Sequence, residues 1–234
     1  KYYNNESKPN LGSSMKDLNQ LLLNFEYKQN FKDEDFYVSN SNYYAFNLIN
    51  SWPKWEKNFL NICGEKYSGK THLSNIFLKK FKGIKIDANS FENKNLKEIK
   101  IYENVILDNL GQNVDERLIY SLFNIIDQDN KYLIINSLIP VSKISFKLED
   151  LRSRTKNCLV AKIDKPEDDL MFALILKNFS DRQITIDKKL IDFIIKRVDR
   201  SYDKIFEFIY KIDEISLKRK KSIDFKIIKE VLRA

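Results

Sequence analysis

Two cysteines, one histidine and five glycines are all that 234 residues carry of the types that build disulfides, imidazole-metal sites and tight turns. Cys63 and Cys158 each lie in an apolar stretch that reads as a buried strand, so a disulfide framework is not expected. A reducing, cytoplasmic setting follows as the expectation. His72 has no second imidazole with which to complete a zinc site or a catalytic triad, and capping or packing is the role expected of it. Every apolar run is far shorter than the roughly 18 residues a membrane helix requires, so no membrane partner is expected. The opening stretch, Lys1 to Ser14, lacks the apolar core of a secretory signal. Met15 fits a natural start after vector-derived residues, and 1–19 reads as a flexible N-terminus.

Charge is present in quantity. A formal net charge of +8 would suit an acidic partner such as nucleic acid, but lysine is interleaved with Asp and Glu rather than gathered into one block. The densest basic run, Lys218-Arg219-Lys220-Lys221, stands beside Asp213, Glu214 and Asp224. It reads as a solvated surface with, at most, weak non-specific contact to nucleic acid.

Two of the scarce glycines fall in one octet, Gly64-Glu65-Lys66-Tyr67-Ser68-Gly69-Lys70-Thr71, which is G-x-x-x-x-G-K-T. The apolar run Asn58 to Cys63 before it is of strand type, and Leu73, Ile76, Phe77 and Leu78 after it are spaced for the buried face of a helix. Strand, loop and helix in that order make a phosphate cradle, with backbone N–H groups turned inward at a helix N-terminus. Lys70 is expected to reach the β- and γ-phosphates of ADP or ATP, and Thr71 to offer a hydroxyl to Mg²⁺. Such a site needs an acidic partner on a neighbouring strand, and Asn104-Val-Ile-Leu-Asp108 provides one, making Asp108 the second Mg²⁺ ligand. Asn109 follows where ATPases of this type carry a second acid. Its amide can orient a water but cannot take a proton, so turnover by the chain alone should be weak or nil. The strand Tyr132 to Ile135 runs into Asn136 and Ser137 at the carboxyl edge, where such sheets bind ligands. Asn136 reads equally well as a sensor of the γ-phosphate or its water and as a simple strand cap.

Short apolar runs alternate with helical stretches as far as Ile163, which predicts a parallel sheet flanked by helices. After Asp164-Lys165-Pro166 only helical spacing remains, over roughly Glu167–Phe179, Asp187–Val198, Lys204–Leu217 and Phe225–Leu232. Pro166 suits a first helical turn. The fold class is therefore α/β: a three-layer αβα P-loop domain over 26–164, then a small all-α lid over 165–234. Ahead of the last predicted strand stands Leu151-Arg152-Ser153-Arg154. From there a guanidinium could enter a neighbour's site, although a salt-bridged surface arginine is the first reading of the residues alone.

Taken together these residues resemble the DnaA family of AAA+ proteins over most of Gln20 to Ala234, and within it the short members that act with the sliding clamp to inactivate the replication initiator. Phe36 to Ala45 resembles the family's segment along the adenine pocket, which implies Tyr37, Val38 and Asn42 as nucleotide contacts. Trp52-Pro53-Lys54-Trp55, and Gly64 to Thr71 running into His72-Leu73, resemble the regulatory form and add Ser68 and His72 to the nucleotide contacts. Asp108-Asn109 resembles its relaxed Walker B pair. Leu151 to Arg154 resembles the family's L-x-S-R box, which makes Arg154 an arginine finger acting in trans. The lid arginine that senses nucleotide falls at Asp203, so that role passes to Lys204 or Arg200, or is lost. Gln20-Leu21-Leu22-Leu23-Asn24-Phe25 resembles the Q-L-x-L-x-F peptide that docks on the β sliding clamp of DNA polymerase III, with Gln20, Leu21, Leu23 and Phe25 as its contacts. The chain stops after the lid, so the initiator's DNA-binding domain, and with it origin binding, is not expected.

The resemblance implies a regulator that binds ADP or ATP with Mg²⁺, tethers to the clamp and stimulates ATP hydrolysis by DnaA. Homo-oligomerisation stays open. A helicase-loader-like or DnaA-type ATPase acting on single-stranded DNA is the alternative.

Overall fold

The computed structural model describes residues 36–219 and 223–233; the peptide at 20–25 and the lysines 220 and 221 lie outside them. Five strands, β1 (Phe59–Cys63), β2 (Gly83–Asp87), β3 (Asn104–Leu110), β4 (Tyr132–Ser137) and β5 (Leu159–Lys162), lie in the order β2-β3-β4-β1-β5. All four pairings are parallel. A parallel sheet covered on both faces needs strands that are apolar throughout rather than in alternation, and β1 is buried at every position.

Successive side chains divide the core into two layers. Phe59, Val105, Leu107, Leu133 and Ile135 face α3 (Asn93–Ile99), α4 (Glu116–Gln128) and α5 (Glu149–Thr155), meeting Ile99, Leu122, Phe123, Ile126 and Leu151. Leu60, Ile62, Ile106, Ile134 and Ala161 face α1 (Tyr43–Asn50) and α2 (Lys70–Lys80), meeting Ala45, Ile49, Leu73 and Phe77. The stripe Ile119, Leu122, Phe123 and Ile126 fixes α4 on the sheet, each side chain contributing about 1.5–3 kcal/mol by leaving water. Asp115 starts that helix by accepting the N–H groups of Arg117 at 2.9 Å and Leu118 at 3.3 Å.

Beyond β5 the described chain is helical: α6 (Asp168–Asp181), α7 (Lys188–Ile195), α8 (Tyr202–Arg219) and α9 (Phe225–Arg233). They enclose their own core of Met171, Ile175, Phe179, Ile194, Ile205, Ile209 and Ile228. Leu170 and Tyr202 pack instead into the α/β core and seat the lid on it.

Three local expectations are corrected. Pro166 lies ahead of the helix, because Glu167 takes the extended capping conformation and α6 begins at Asp168. α8 starts at Tyr202 rather than Lys204, because the apolar face there begins with that buried ring. Cys158 precedes β5 rather than lying in it. Both cysteines are buried free thiols, and burial pushes Cys158 up to about 12.

Candidate functional site

The loop between β1 and α2 is shaped by its glycines. A Cβ on Gly64 would stand 2.9 Å from the Ile163 carbonyl oxygen, at the point where β1 and the chain after β5 close together. Gly69 has φ +90°, and a Cβ there would meet the Phe36 ring at 3.0 Å. Phe36 also packs against Phe46 and the edge of His72, so His72 sits in an aromatic contact beside the loop.

Lys70 turns back into the loop. Its Nζ donates to the carbonyls of Gly64 at 2.9 Å and Glu65 at 2.6 Å, and more weakly to Ser68 Oγ at 3.4 Å. Burial lowers its pKa, against the pull of Asp108, Cys63 and Glu65. A partly desolvated ammonium held only by neutral oxygens is ready to transfer its donors to a phosphate.

Parallel pairing brings the acidic partner to the same edge. Asp108, 5% exposed, accepts three hydrogen bonds on Oδ1: from Thr71 Oγ1 at 3.1 Å, Asn136 Nδ2 at 3.0 Å and the Asn109 N–H at 3.1 Å. Among the described residues its Oδ2 has no partner. Asn136 is fully buried; its amide also donates to Ser74 Oγ at 2.8 Å, while its Oδ1 is left without a partner. Thr71, Asp108 and Asn136, chosen from three separate stretches of sequence, thus form one hydrogen-bonded group.

These residues fit a Mg²⁺-nucleotide. The loop excludes side chains where phosphates need backbone, a hydroxyl and a buried carboxylate stand together, and a buried amide oxygen is unpaired beside them. No cluster of three or more His, Cys, Asp or Glu occurs among the described residues.

The strand-end acid at Asp87 is absent from the sequence-based site. Its backbone pairs with that of Asp108 across β2 and β3. Asp87 Oδ2 accepts from Asn109 Nδ2 at 2.6 Å, and its Oδ1 accepts from the N–H and side chain of Asn89 at 2.8 and 2.9 Å. Burial pushes the carboxyl up, but those hydrogen bonds outweigh it and hold Asp87 below the usual range. Asn109 therefore points toward β2, with φ +59° at the place where the β3–β4 register shifts. An asparagine tolerates that left-handed backbone better than most residues. The signal was partly legible: Asp87 follows Ile84-Lys85-Ile86 as Asp108 follows Val105-Ile106-Leu107, although β3 continues to Leu110.

Just ahead of α1, Asn42 is 3% exposed and spends both ends of its amide on backbone. Oδ1 accepts from the Ser39 N–H and Nδ2 donates to the Tyr37 carbonyl, each at 2.9 Å. It shapes the Tyr37–Val38 segment from beneath.

The lid cations are occupied elsewhere. Arg200 pairs with Asp168 at 2.7 Å and Lys204 with Glu207 at 2.9 Å, rather than with loop residues. Ser201, Tyr202 and Phe206 of the lid contact the loop, and motif reading singled out none of them. Arg154, at the end of α5, is ion-paired to Asp127 of α4 and lies over the Tyr120 ring at 5.4 Å. The salt-bridged arginine read from the residues alone is the arrangement observed.

The family model described as "Hda, lid domain" matches residues 168–232. An uncharacterized protein of Haemophilus influenzae is 26% identical over 212 residues, covering 85% of this chain and 92% of its own length. The chromosomal replication initiator DnaA of Buchnera aphidicola is 24% identical over 239 residues, covering 91% of this chain and 55% of that protein. The chain spans about half the length of the DnaA relatives it matches. Domain III of Thermotoga maritima DnaA superposes with a TM-score of 0.70 at 20% identity, covering 88% of this chain and 97% of that one. Aquifex aeolicus DnaA bound to AMPPCP superposes at 0.63 and 20% identity, covering 82% and 69%. A glycine loop on a parallel sheet and a helical lid seated beside it give the chain the fold of DnaA domain III, and its lid resembles that of Hda.

Proposed function

We propose that this chain is an Hda-like regulator of chromosomal replication initiation, working in the cytoplasm: it binds ADP or ATP with Mg²⁺, docks on the β sliding clamp, and stimulates ATP hydrolysis by DnaA. The observation that carries the nucleotide part is the convergence of Lys70, Thr71, Asp108 and Asn136 on a loop closed to side chains at Gly64. AMPPCP bound to a DnaA of the same fold supports it. Lys70 would hold the phosphates, and Thr71 and Asp108 would hold a Mg²⁺, which when bound would supply positive charge against the terminal phosphates. Asn136 fixes Asp108. Asn109 is turned to Asp87 and has no proton-accepting group, so the chain is a binder first and at best a slow ATPase.

The remaining parts rest on two further residue sets. Gln20, Leu21, Leu23 and Phe25 supply the clamp tether, raising the local concentration of the regulator where clamp and initiator meet. Arg154 then leaves Asp127 and supplies its guanidinium to charge developing at the phosphates in DnaA. An exposed ion pair holds it by only about 0.2–1 kcal/mol, so a docking partner can displace it.

Phosphate release by ATP-bound DnaA with DNA-loaded clamp, with and without this chain, tests the reading. Stimulation that disappears in Arg154→Ala and in a Gln20→Ala/Phe25→Ala chain is expected. The second reading, an ATPase acting on single-stranded DNA, is favoured by the likeness to a DnaA structure bound to AMPPCP and single-stranded DNA, with a TM-score of 0.63 at 19% identity. Turnover by the chain alone that rises on adding single-stranded DNA, without any effect on DnaA, would replace the first reading by the second.

A further inference from the structure

Glu65 and Tyr67 occupy positions that the loop's glycine pattern leaves open, and both reach out of the loop into the lid. Glu65 Oε2 accepts from Ser201 Oγ at 2.9 Å and from the Tyr202 N–H at 3.1 Å. That N–H opens α8 and has no acceptor within its own helix, so the carboxylate caps a lid helix from the other half of the molecule. Tyr67 stands in left-handed backbone, φ 63°, a conformation bulky residues avoid. Its ring lies 4.8 Å from that of Phe206, one turn further along α8. The loop thus grips the first turn of α8 at two points.

The other end of the linkage is Lys70. Its ammonium donates at 2.6 Å to the carbonyl oxygen of Glu65, the residue whose carboxylate holds the lid. A charged phosphate is a stronger acceptor than a carbonyl, so an occupied loop draws Lys70 away from Glu65. Meanwhile Arg200 and Lys204 are paired to Asp168 and Glu207.

We propose that Glu65 and Tyr67 are positioning residues that carry nucleotide occupancy from the phosphate loop to the lid, so that the lid responds to nucleotide without a cation of its own on the phosphates. This rests on the nucleotide reading of the loop. Lys70 releases the Glu65 carbonyl, Glu65 re-seats against Ser201 and Tyr202, and α8 shifts with it. Coupling of this kind is reciprocal: whatever factor nucleotide imposes on lid seating, lid seating imposes on nucleotide affinity.

Residue-resolved amide exchange, with Mg²⁺ and titrated ADP, tests it on the whole chain. In the unaltered protein ADP should change exchange at the amides of Tyr202 to Phe206 by about threefold or more. Glu65→Ala should speed the Tyr202 amide by about tenfold without ADP, as expected on losing a hydrogen bond to a charged group. Glu65→Ala/Tyr67→Ala should abolish the ADP response, shift ADP affinity by the same factor and leave protection in α6 and α7 unchanged. Glu65→Gln, which keeps an oxygen acceptor, should restore part of the response. An ADP response that persists in the double variant overturns the relay while leaving the loop a nucleotide site. Failure of the unaltered chain to bind ADP overturns the nucleotide reading and the relay with it.

Discussion

Replacing Asp108 separates its structural work from its work on a cation. Its Oδ1 accepts from Thr71, Asn136 and the Asn109 N–H, while Oδ2 has no partner among the described residues. Asp108→Asn can keep an oxygen at Oδ1 and lose only the charge, whereas Asp108→Ala removes the acceptor from all three donors. Thr71 and Asn109 are exposed and can turn to water, and Asn136 retains Ser74, so the alanine leaves part of three bonds unmade rather than three full orphans. With about 1–3 kcal/mol for a stranded buried donor, the alanine variant should lose about 2 kcal/mol. At about 2–4 °C per kcal/mol for a chain of this size, that is a fall in Tm of about 4–8 °C, and the asparagine variant should fall by less than about half of it. The order reverses in meaning for ligand: fluorescent ATP titrated with Mg²⁺ and then with EDTA should show metal-dependent tightening in the unaltered chain and neither variant should show it. Asp108→Asn that keeps the metal dependence would refute Asp108 as the cation's protein ligand, and Asp108→Ala as stable as Asp108→Asn would refute the hydrogen-bonded group.

Asn109→Asp would set a second carboxylate against Asp87 in place of the 2.6 Å amide hydrogen bond, so it should cost about 1–2 kcal/mol at neutral pH and add no ATP turnover; a gain in phosphate release would refute the orientation of Asn109 toward β2. Asp127→Asn frees Arg154 from a half-exposed ion pair, so it should change stability by less than about 1 kcal/mol and raise stimulation of DnaA at limiting regulator by at most about fivefold. A fall in stimulation would mean that Asp127 presents Arg154 rather than withholding it. Asp87 contributes stability through a depressed pKa, so that contribution is present above its ordinary value of 3.8 and is lost as pH falls through the lower folded value. In urea melts, the stability gap between the unaltered chain and Asp87→Asn should be full near neutral pH and shrink as pH falls below 3.8; a gap independent of pH would show that the aspartate acts through packing alone.

Most strands of the α/β part were legible as short, mainly apolar runs, which buried parallel strands require, although β2 carries the exposed Lys85 between Ile84 and Ile86. Lys70, Thr71 and Asp108 were legible for a related reason: glycine is rare enough here that two in one octet stand out, and Asp108 ends an apolar run that can only be a strand. Asp87 ends a similar run and was passed over, because nothing in one dimension tells which strands are neighbours; pairing of β2 with β3 is what sets it beside Asn109. Glu65 was illegible for the opposite reason. It fills a variable position of the loop, and its partners Ser201 and Tyr202 are more than a hundred residues away. The start of α8 was misplaced by the same blindness, since Tyr202 is apolar toward the other domain and polar only at the hydroxyl it donates to the Asp164 carbonyl.

That hydroxyl bears on how the two halves act together. Tyr202 is 2% exposed, its pKa is pushed up to about 12 by burial, and its ring packs in the α/β core although its backbone opens a lid helix. Its O–H bonds the chain between β5 and α6, and its N–H bonds Glu65 in the loop after β1. Tyr202 thus joins the lid to the α/β part through a buried, neutral ring and two hydrogen bonds, and Glu65 with Ser201 and Tyr67 with Phe206 add contacts at the loop. In the relay proposed above, a shift of α8 would be carried to the distal lid surface, where the 18-residue α8 packs against α9.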